Sequence, residues 1–338
     1  MRIAQLYHDF SQRGGAEKHV EALSASLSEL GHDVTVVSST PPQGVRGFVT
    51  SFARWAIPVS GLRLARWLRR ERIQVVHAHS RISALAASIA LRLYRIPMVV
   101  TSHILPKGSC RLSQWGDLTI CVSDAVRRCL IDKYGVAPAQ TLVIHNGIEA
   151  ESDPPPIRLG PEPVISLVAR FTPGKGHQTF LEAANRLLDE GFPGTFVLAG
   201  DGPLEPSLRE HFCSDRIRFL GHRNDVPAIL ASSAASVICS DSEAFPYALL
   251  ESLAVGTPVV STDCGGPAEV IQSGHNGYLY PVSDTESLQR LLMAVTGLDS
   301  SLAPRAQIAE ECRTRYSRGG MVQATLAAYR RVCLEVDA

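Results

Sequence analysis

Short runs of β-branched and apolar residues alternate with segments of helical period along most of the chain, and this alternation limits the fold more than any other feature. Arg2 to Tyr7, Val34 to Ser38, Val75 to His79, Met98 to Ser102, Leu118 to Val122 and Leu142 to His145 read as strands. Between them, Ala16 to Leu30, Leu62 to Arg72, Ile82 to Leu93 and Ser123 to Tyr134 carry helical spacing. Strands joined by helical crossovers pair in parallel, and a parallel sheet must be covered on both faces. The expectation is an α/β protein built on doubly wound sheets.

A break follows. Ala150 to Pro163 contains Pro154, Pro155, Pro156, Pro161 and Pro163, which suit neither a helix interior nor a central strand, so 151–163 is predicted to be a linker. The alternation restarts at Val164 to Ala169 and continues through Thr195 to Ala199, Ile217 to Leu220, Ala235 to Cys239, Val259 to Ser261 and Gly277 to Tyr280. Residues 1–150 and 164–320 are thus predicted to be two Rossmann-like domains, a division that suits 338 residues. The pattern is wholly helical after Asp284, and a final helix over about 321–338 has no strand to return to, so it is expected to cross back to the first domain. Two such domains facing one another would place a cleft between the carboxyl ends of their sheets, where ligands of open α/β sheets bind.

Composition excludes several classes. Hydrophobic residues at 45% and charged residues at 20% leave no case for disorder. No apolar run approaches the roughly 18 residues of a membrane-spanning helix, and Met1 to Asp9 lacks the apolar stretch of a secretory leader; a cytoplasmic protein is expected. The eight cysteines show no C-x-x-C and no Cys/His grouping at zinc spacing, so they are expected to be reduced, buried and without metal. The formal charge of zero gives no sign of a nucleic-acid partner, but it is a cancellation. Residues 1–150 hold 18 Lys and Arg against 10 Asp and Glu, net +8, and residues 151–338 hold 15 against 23, net −8.

The basic excess is densest from Arg54 to Arg72, where Arg63, Arg66, Arg69 and Arg70 lie among Phe48, Phe52, Trp55 and Trp67 with one acid, Glu71. Such a stretch suits an anionic membrane surface, peripheral on the inner face of the plasma membrane, or a lipid-linked acceptor. It equally suits a core-packed helix with a solvated basic face and Leu62, Ala65 and Leu68 turned inward.

Three segments have the chemistry of a phosphate site. Gly14 and Gly15 precede a helix, where backbone amides meet the positive end of the helix dipole; the spacing is not G-x-G-x-x-G, which argues against a nicotinamide cofactor. Arg170 and Lys175 lie in a strand-to-helix loop, Val168 to His177, that is not G-x-x-x-x-G-K-[ST]. The sharpest segment is Ser240 to Glu251. Pro246 fits a first helical position, putting Glu243 in the preceding loop, Glu251 more than one turn inside, and the amides of Tyr247, Ala248 and Leu249 at the helix start. At about 1.5 Å per helical residue the carboxylates should stand near or beyond 10 Å apart, too far to flank one bond, so they would grip separate parts of one long ligand.

These residues carry a resemblance. Glu243 and Glu251 as E-x7-E, with Arg170 and Lys175 upstream, resemble the retaining GT-B glycosyltransferases of family 4. The Gly14-Gly15 loop, His145-Asn146-Gly147-Ile148, Ala199-Gly200-Asp201-Gly202-Pro203, Phe219-Leu220-Gly221, Gly256-Thr257-Pro258-Val259-Val260, Gly265-Gly266-Pro267-Ala268-Glu269 and Asn276-Gly277 agree in order and spacing. Ala244, where glycine is frequent, and Cys239, where proline is, depart from the pattern.

The resemblance implies transfer of a hexose from a nucleotide-diphosphate sugar, UDP-sugar favoured over GDP-sugar, to a hydroxyl of a cell-envelope glycan or lipid-linked acceptor, with retention and without metal. Arg170 and Lys175 would bind the diphosphate, Glu251 the ribose and Glu243 the sugar. Gly15 would approach the phosphate from the first domain, Gly202 would line the donor, and His222 and Arg223 would lie near the base. His103 aligns with a histidine near the transferred sugar; Asp9, His79 and Asp124 are further acceptor-side candidates. A nucleotide-sugar epimerase acting without acceptor, or a non-catalytic nucleotide-sugar binder, would share the architecture.

Overall fold

In the computed structural model the described residues are 1–11, 14–42, 44–53, 56–92, 94–108, 113–149, 154–297 and 302–337. They form two compact units, Met1–Gly147 with Arg318–Ala338, and Ile148–Ser317.

The first unit is built on β1 (Arg2–Leu6), β2 (Asp33–Ser38), β3 (Gly47–Val49), β4 (Val75–Ala78), β5 (Met98–Ser102), β6 (Leu118–Cys121) and β7 (Thr141–Val143). They lie in the order β3-β2-β1-β4-β5-β6-β7, every pair parallel. β4, β5 and β6 are buried at every position, as expected of a sheet covered on both faces. The cover comes from α1 (Gly15–Glu29), α2 (Ile57–Arg70), α3 (Arg81–Leu91) and α4 (Asp124–Tyr134). Local chemistry sets their ends. Ser80 forms a capping box with Ser83, Ser123 accepts from the Val126 amide, and Gly135 closes α4 in the left-handed region.

The second unit has β8 (Val164–Val168), β9 (Thr195–Ala199), β10 (Ile217–Gly221), β11 (Ala235–Ile238), β12 (Val259–Thr262) and β13 (Gly277–Tyr280), in the parallel order β10-β9-β8-β11-β12-β13. Its helices are α5 (His177–Asp189), α6 (Glu205–His211), α7 (Val226–Ala231), α8 (Tyr247–Ala254), α9 (Thr285–Thr296) and α10 (Arg305–Arg315). Strand order reverses between β1 and β4 in one unit and between β8 and β11 in the other, so the loops leaving those strands are where each sheet is open to a ligand.

The last helix, α11 (Arg318–Asp337), belongs to the first unit. Its Met321, Val322, Leu326, Tyr329 and Val332 share a core with Ile3, Leu23, Leu27, Val75 and Val99.

The structure adds to or departs from the sequence expectations at five points. β3 was not expected, and α2 begins at Ile57 rather than Leu62, because Pro58 sits in its first turn, where a proline costs no hydrogen bond. The described part of the proline-rich stretch is held to the second unit: Leu159 is buried beside Val164, Val197 and Ile229, and the Ile157 amide donates to Ser232 Oγ at 3.0 Å; Ala150 to Asp153 lie outside the described residues. Cys121, Cys239 and Cys312 are buried, but Cys213 is exposed and Cys129, Cys264 and Cys333 are half-buried, while Cys110 lies outside the described residues. Finally, Pro246 is not the first helical residue. With ψ at 136° it is extended and caps α8 from outside. Among the described residues no helix is long and apolar enough to cross a membrane.

Candidate functional site

In the second unit the site is assembled by loops fastened to one another through backbone groups. β8 gives way to a loop in which the Phe171 amide donates to the Asp201 carbonyl at 2.7 Å, joining it to the turn after β9. Gly202 makes that approach feasible: its φ is +148°, and a Cβ there would lie 2.6 Å from the Phe171 carbonyl oxygen. Gly176 caps α5 at φ +68°, and a Cβ at that position would lie 1.9 Å from the Cys239 carbonyl oxygen. The Arg170–Lys175 loop is thereby pressed onto the loop leaving β11, and the Asp241 amide donates to the Gly174 carbonyl at 2.9 Å.

Glu243 is held on both sides, its amide donating to the Cys264 carbonyl and its carbonyl accepting from the Gly266 amide, each at 3.0 Å. Its Oε1 accepts from Lys175 Nζ at 2.6 Å and from Ser240 Oγ at 2.7 Å. The side chains of Lys175 and Glu243 are only 28% and 13% exposed, so solvent screens this pair less than a surface ion pair. Sequence reasoning assigned the two charges to different parts of a ligand and missed their pairing, 68 residues apart. It also missed Ser240 as a third member.

Just beyond, α8 begins without a side-chain cap, leaving its first turn, Tyr247, Ala248 and Leu249, as a positive helix end. Leu249 is buried in the core, so only its backbone can serve a ligand. Glu251 is the fifth residue of α8 and half-buried, while Arg170 and His222 are exposed. Arg223 is engaged: its Nε and a terminal nitrogen donate to the Asp225 carboxylate at 2.8 and 2.5 Å, which raises its pKa and lowers that of Asp225. At the two departures from the family pattern, Cys239 Sγ accepts from the Tyr280 hydroxyl at 3.0 Å and Ala244 is buried.

The first unit gathers neutral groups instead. Gly14 is the extended cap of α1 and Gly15 its first residue. His79 and His103 follow the ends of β4 and β5, and His79 Nδ1 lies 3.0 Å from His103 Nε2. His79 Nε2 is 2.6 Å from Gln5 Oε1, and Gln5 Nε2 donates to the Tyr329 hydroxyl at 2.9 Å. His77 lies 2.6 Å from that hydroxyl through Nδ1 and 2.7 Å from Thr101 Oγ1 through Nε2. His19, from α1, bonds Asn146 at 3.1 Å and meets the His103 ring edge-on. Burial is the main cause that lowers all four histidine pKa values, His19 to about 4 and His77, His79 and His103 well below the ordinary value.

One nitrogen from each of His19, His79 and His103 lies within 4.8 Å of the others, a set that could hold a metal ion; His79 Nδ1 and His103 Nε2 are themselves at hydrogen-bond distance. Sequence reasoning named His79 and His103 but not His19, His77, Gln5 or Tyr329, which carry no motif. Of the remaining candidates, Asp9 accepts from Ser11 and Thr40, which bring its pKa down to about 2, and Asp124 opens α4 beside its Ser123 cap.

The basic stretch divides. Phe52, Leu64, Ala65, Trp67 and Leu68 are buried, and Trp67 stacks on Phe48 with ring centroids 4.8 Å apart. Phe52 and Trp67 therefore belong to the core, with Phe48 half-buried against them. Leu62, expected inward, is 49% exposed and Val59 64%. Arg46, Arg63, Arg66 and Arg70 border a groove of about 460 Å³ floored by Phe48 and Trp67. Arg46 and Arg70 are paired with Glu71. Arg54 and Trp55 lie outside the described residues.

Two family models match the chain, one described as Glycosyltransferase Family 4 over residues 13–152 and one as Glycosyl transferases group 1 over residues 162–296. The chain is 28% identical over 266 residues, 69% of each chain, to the UDP-Gal:alpha-D-GlcNAc-diphosphoundecaprenol alpha-1,3-galactosyltransferase of Escherichia coli. It is 26% identical to a phosphatidyl-myo-inositol mannosyltransferase of Mycobacterium leprae, across 98% of this chain and 97% of that one. Among solved structures, HepE of Anabaena in complex with UDP-glucose superposes with a TM-score of 0.82 at 19% identity, covering 97% of this chain and all of the other. The fold of two parallel α/β units is that of GT-B glycosyltransferases.

Proposed function

The chain belongs to the glycosyltransferases of group 1 and family 4, and on that premise we propose that it transfers a hexose from a nucleotide-diphosphate sugar to a hydroxyl of a cell-envelope glycan or lipid-linked acceptor. The observation that carries this reading is the shielded Lys175–Glu243 pair, beside Ser240 and next to the uncapped start of α8. A cation, a carboxylate and a helix amino end within one set of loops match a ligand with a phosphate at one end and hydroxyls at the other.

Each residue then has one task. Lys175 and Arg170, with the amides of Tyr247, Ala248 and Leu249, receive the diphosphate and stabilise the charge that grows on it as the glycosidic bond breaks. Glu243 accepts hydrogen bonds from the sugar. Its pairing with Lys175 keeps the ammonium placed before any donor arrives. Glu251 takes the ribose hydroxyls, Gly202 keeps the donor loops close, and His222 with the Asp225-held Arg223 faces the base. Because these cations and helix amides supply the charge that a divalent ion would, the reaction needs no metal. The departing phosphate takes the acceptor's proton on the face it leaves, which retains the anomeric configuration and requires no separate base.

The UDP-glucose held by the HepE structure and the UDP-Gal in the name of the Escherichia coli relative favour a UDP-sugar over a GDP-sugar. A lipid-linked acceptor is favoured by the substrates in the names of both relatives. We assign the acceptor to the first unit, with Gly14 and Gly15 serving the donor phosphate and His103 a sugar hydroxyl. The outward face of α2, with Val59, Leu62, Arg63 and Arg66, suits attachment to an anionic membrane on the cytoplasmic side.

The test is UDP release from UDP-glucose by Lys175→Ala and Arg170→Ala. Each substitution is expected to slow release about 100-fold or more with an unchanged circular dichroism spectrum. Wild-type rates in both folded variants would overturn the site, and an epimerised nucleotide-sugar as product would replace transfer by epimerisation.

A further inference from the structure

The side chains between Thr101 and His103 form one continuous chain, buried up to a half-buried His103: Thr101, His77, Tyr329, Gln5, His79, His103, with links of 2.7, 2.6, 2.9, 2.6 and 3.0 Å. Every link needs one proton, so fixing the direction of one fixes all. The amide of Gln5, as oriented in this structure, sets the sense, since its nitrogen only donates and its oxygen only accepts. Its nitrogen faces the Tyr329 hydroxyl, and its oxygen faces His79 Nε2.

The protons follow outward from there. Tyr329, already accepting from Gln5, gives its own proton to His77 Nδ1, and His77 Nε2–H donates to Thr101. On the other side His79 must carry its proton on Nε2 to reach the Gln5 oxygen, and a neutral imidazole then has a bare Nδ1. That nitrogen can only accept, so the proton between the two rings belongs to His103 Nε2. The remaining nitrogen of His103, Nδ1, is left with a lone pair.

We propose that Gln5, His77, His79 and Tyr329 are positioning residues that hold His103 in a single tautomer, protonated at Nε2, so that its Nδ1 accepts from a ligand hydroxyl and does not donate. This rests on the reading of His103 as a sugar-side residue in the Proposed function. The burial that keeps these rings neutral supports it, because a charged imidazole would donate from both nitrogens and erase the selection. A consequence is that α11, the last element of the chain, decides the hydrogen-bonding sense of a group at the carboxyl end of β5.

The experiment is a long-range proton–nitrogen correlation spectrum of histidine-labelled protein, wild type against Tyr329→Phe and Thr101→Val, both of which keep side-chain shape. In the wild type His103 is expected to show a pyridine-like Nδ1 and a pyrrole-like Nε2. Tyr329→Phe removes the oxygen that orients Gln5, so His103 is expected to become a mixture of tautomers, with kcat for UDP release from UDP-glucose falling about fivefold and KM unchanged. Thr101→Val, at the far end, is expected to shift the His77 signals first and those of His103 less. A pyrrole-like Nδ1 on wild-type His103, or a His103 signal unmoved in Tyr329→Phe, would overturn the proposal. His103→Ala separates the two readings: an unchanged rate there refutes the sugar-side role, while the spectrum judges the chain without any turnover.

Discussion

The two units share an architecture and solve the placement of functional groups in opposite ways. In the second, the groups are charged, carried on loops, and held by backbone hydrogen bonds that need glycine at Gly176 and Gly202. In the first they are neutral imidazoles at strand ends, held by other side chains in the core. The difference follows the chemistry each is proposed to serve. A diphosphate leaving group needs positive charge that does not move, whereas discriminating among hydroxyls needs donors and acceptors of fixed sense.

The largest effect expected from this contrast is acid sensitivity greater in the first unit than in the second. His19 titrates near 4 in the folded protein and near 6.5 when unfolded, so between those values the unfolded chain binds more protons; stability is complete above about pH 6.5 and falls as pH drops toward 4. His19 alone accounts for roughly 3 kcal/mol across that window. His77, His79 and His103 shift in the same direction, against His177 alone in the second unit. Trp55, Trp67 and Trp115, the three tryptophans, all precede Ile148. Denaturation followed by tryptophan fluorescence should therefore move to lower denaturant between pH 7 and pH 5 by more than the transition followed by circular dichroism. Equal movement would mean the imidazoles are not the difference between the units.

A smaller effect, on the other side of the comparison, is expected from Gly176→Ala. It places a methyl against the Cys239 carbonyl in a left-handed conformation, and should cost about 3 kcal/mol while displacing Lys175 enough to abolish UDP release. A variant with full stability and full rate would show that the loops are not set by that contact.

The smallest effect is expected from Arg63→Glu with Arg66→Glu. If the outward face of α2 meets anionic lipid, each arginine contributes about 1 kcal/mol, so flotation with phosphatidylglycerol vesicles at low salt should drop by more than tenfold with UDP release unchanged. Flotation that persists, or is absent in the wild type, would remove the membrane from the reading.

Much of this was legible in the chain because local rules govern it. Buried parallel strands are short apolar runs, so β4, β5 and β6 are readable, and Arg170, Lys175, Glu243 and Glu251 stand at spacings that a phosphate loop and a helix start impose. What was not legible depends on contact between distant residues. The Lys175–Glu243 bond spans 68 positions and the Gln5–Tyr329 bond spans 324. Neither leaves a local pattern, since a glutamine in β1 and a tyrosine in a terminal helix look like ordinary core. β3 escaped because it is three residues long and partly exposed at the sheet edge, and Leu62 because helical spacing gives a face but not which neighbour covers it.

The membership of α11 in the first unit has a consequence for the order of events during synthesis. Ile148–Ser317 is, topologically, an insertion within the other unit, so the part of the chain made first is completed last. Until Arg318–Asp337 has been made, the second unit already has its whole sequence, but Ile3, Leu23 and Val75 still lack the helix that covers them. Before Tyr329 arrives, Gln5 Nε2 and His77 Nδ1 each lack the partner they have in the folded protein. A nascent first unit without α11 leaves that apolar surface uncovered, the condition under which partly made chains aggregate and chaperones bind.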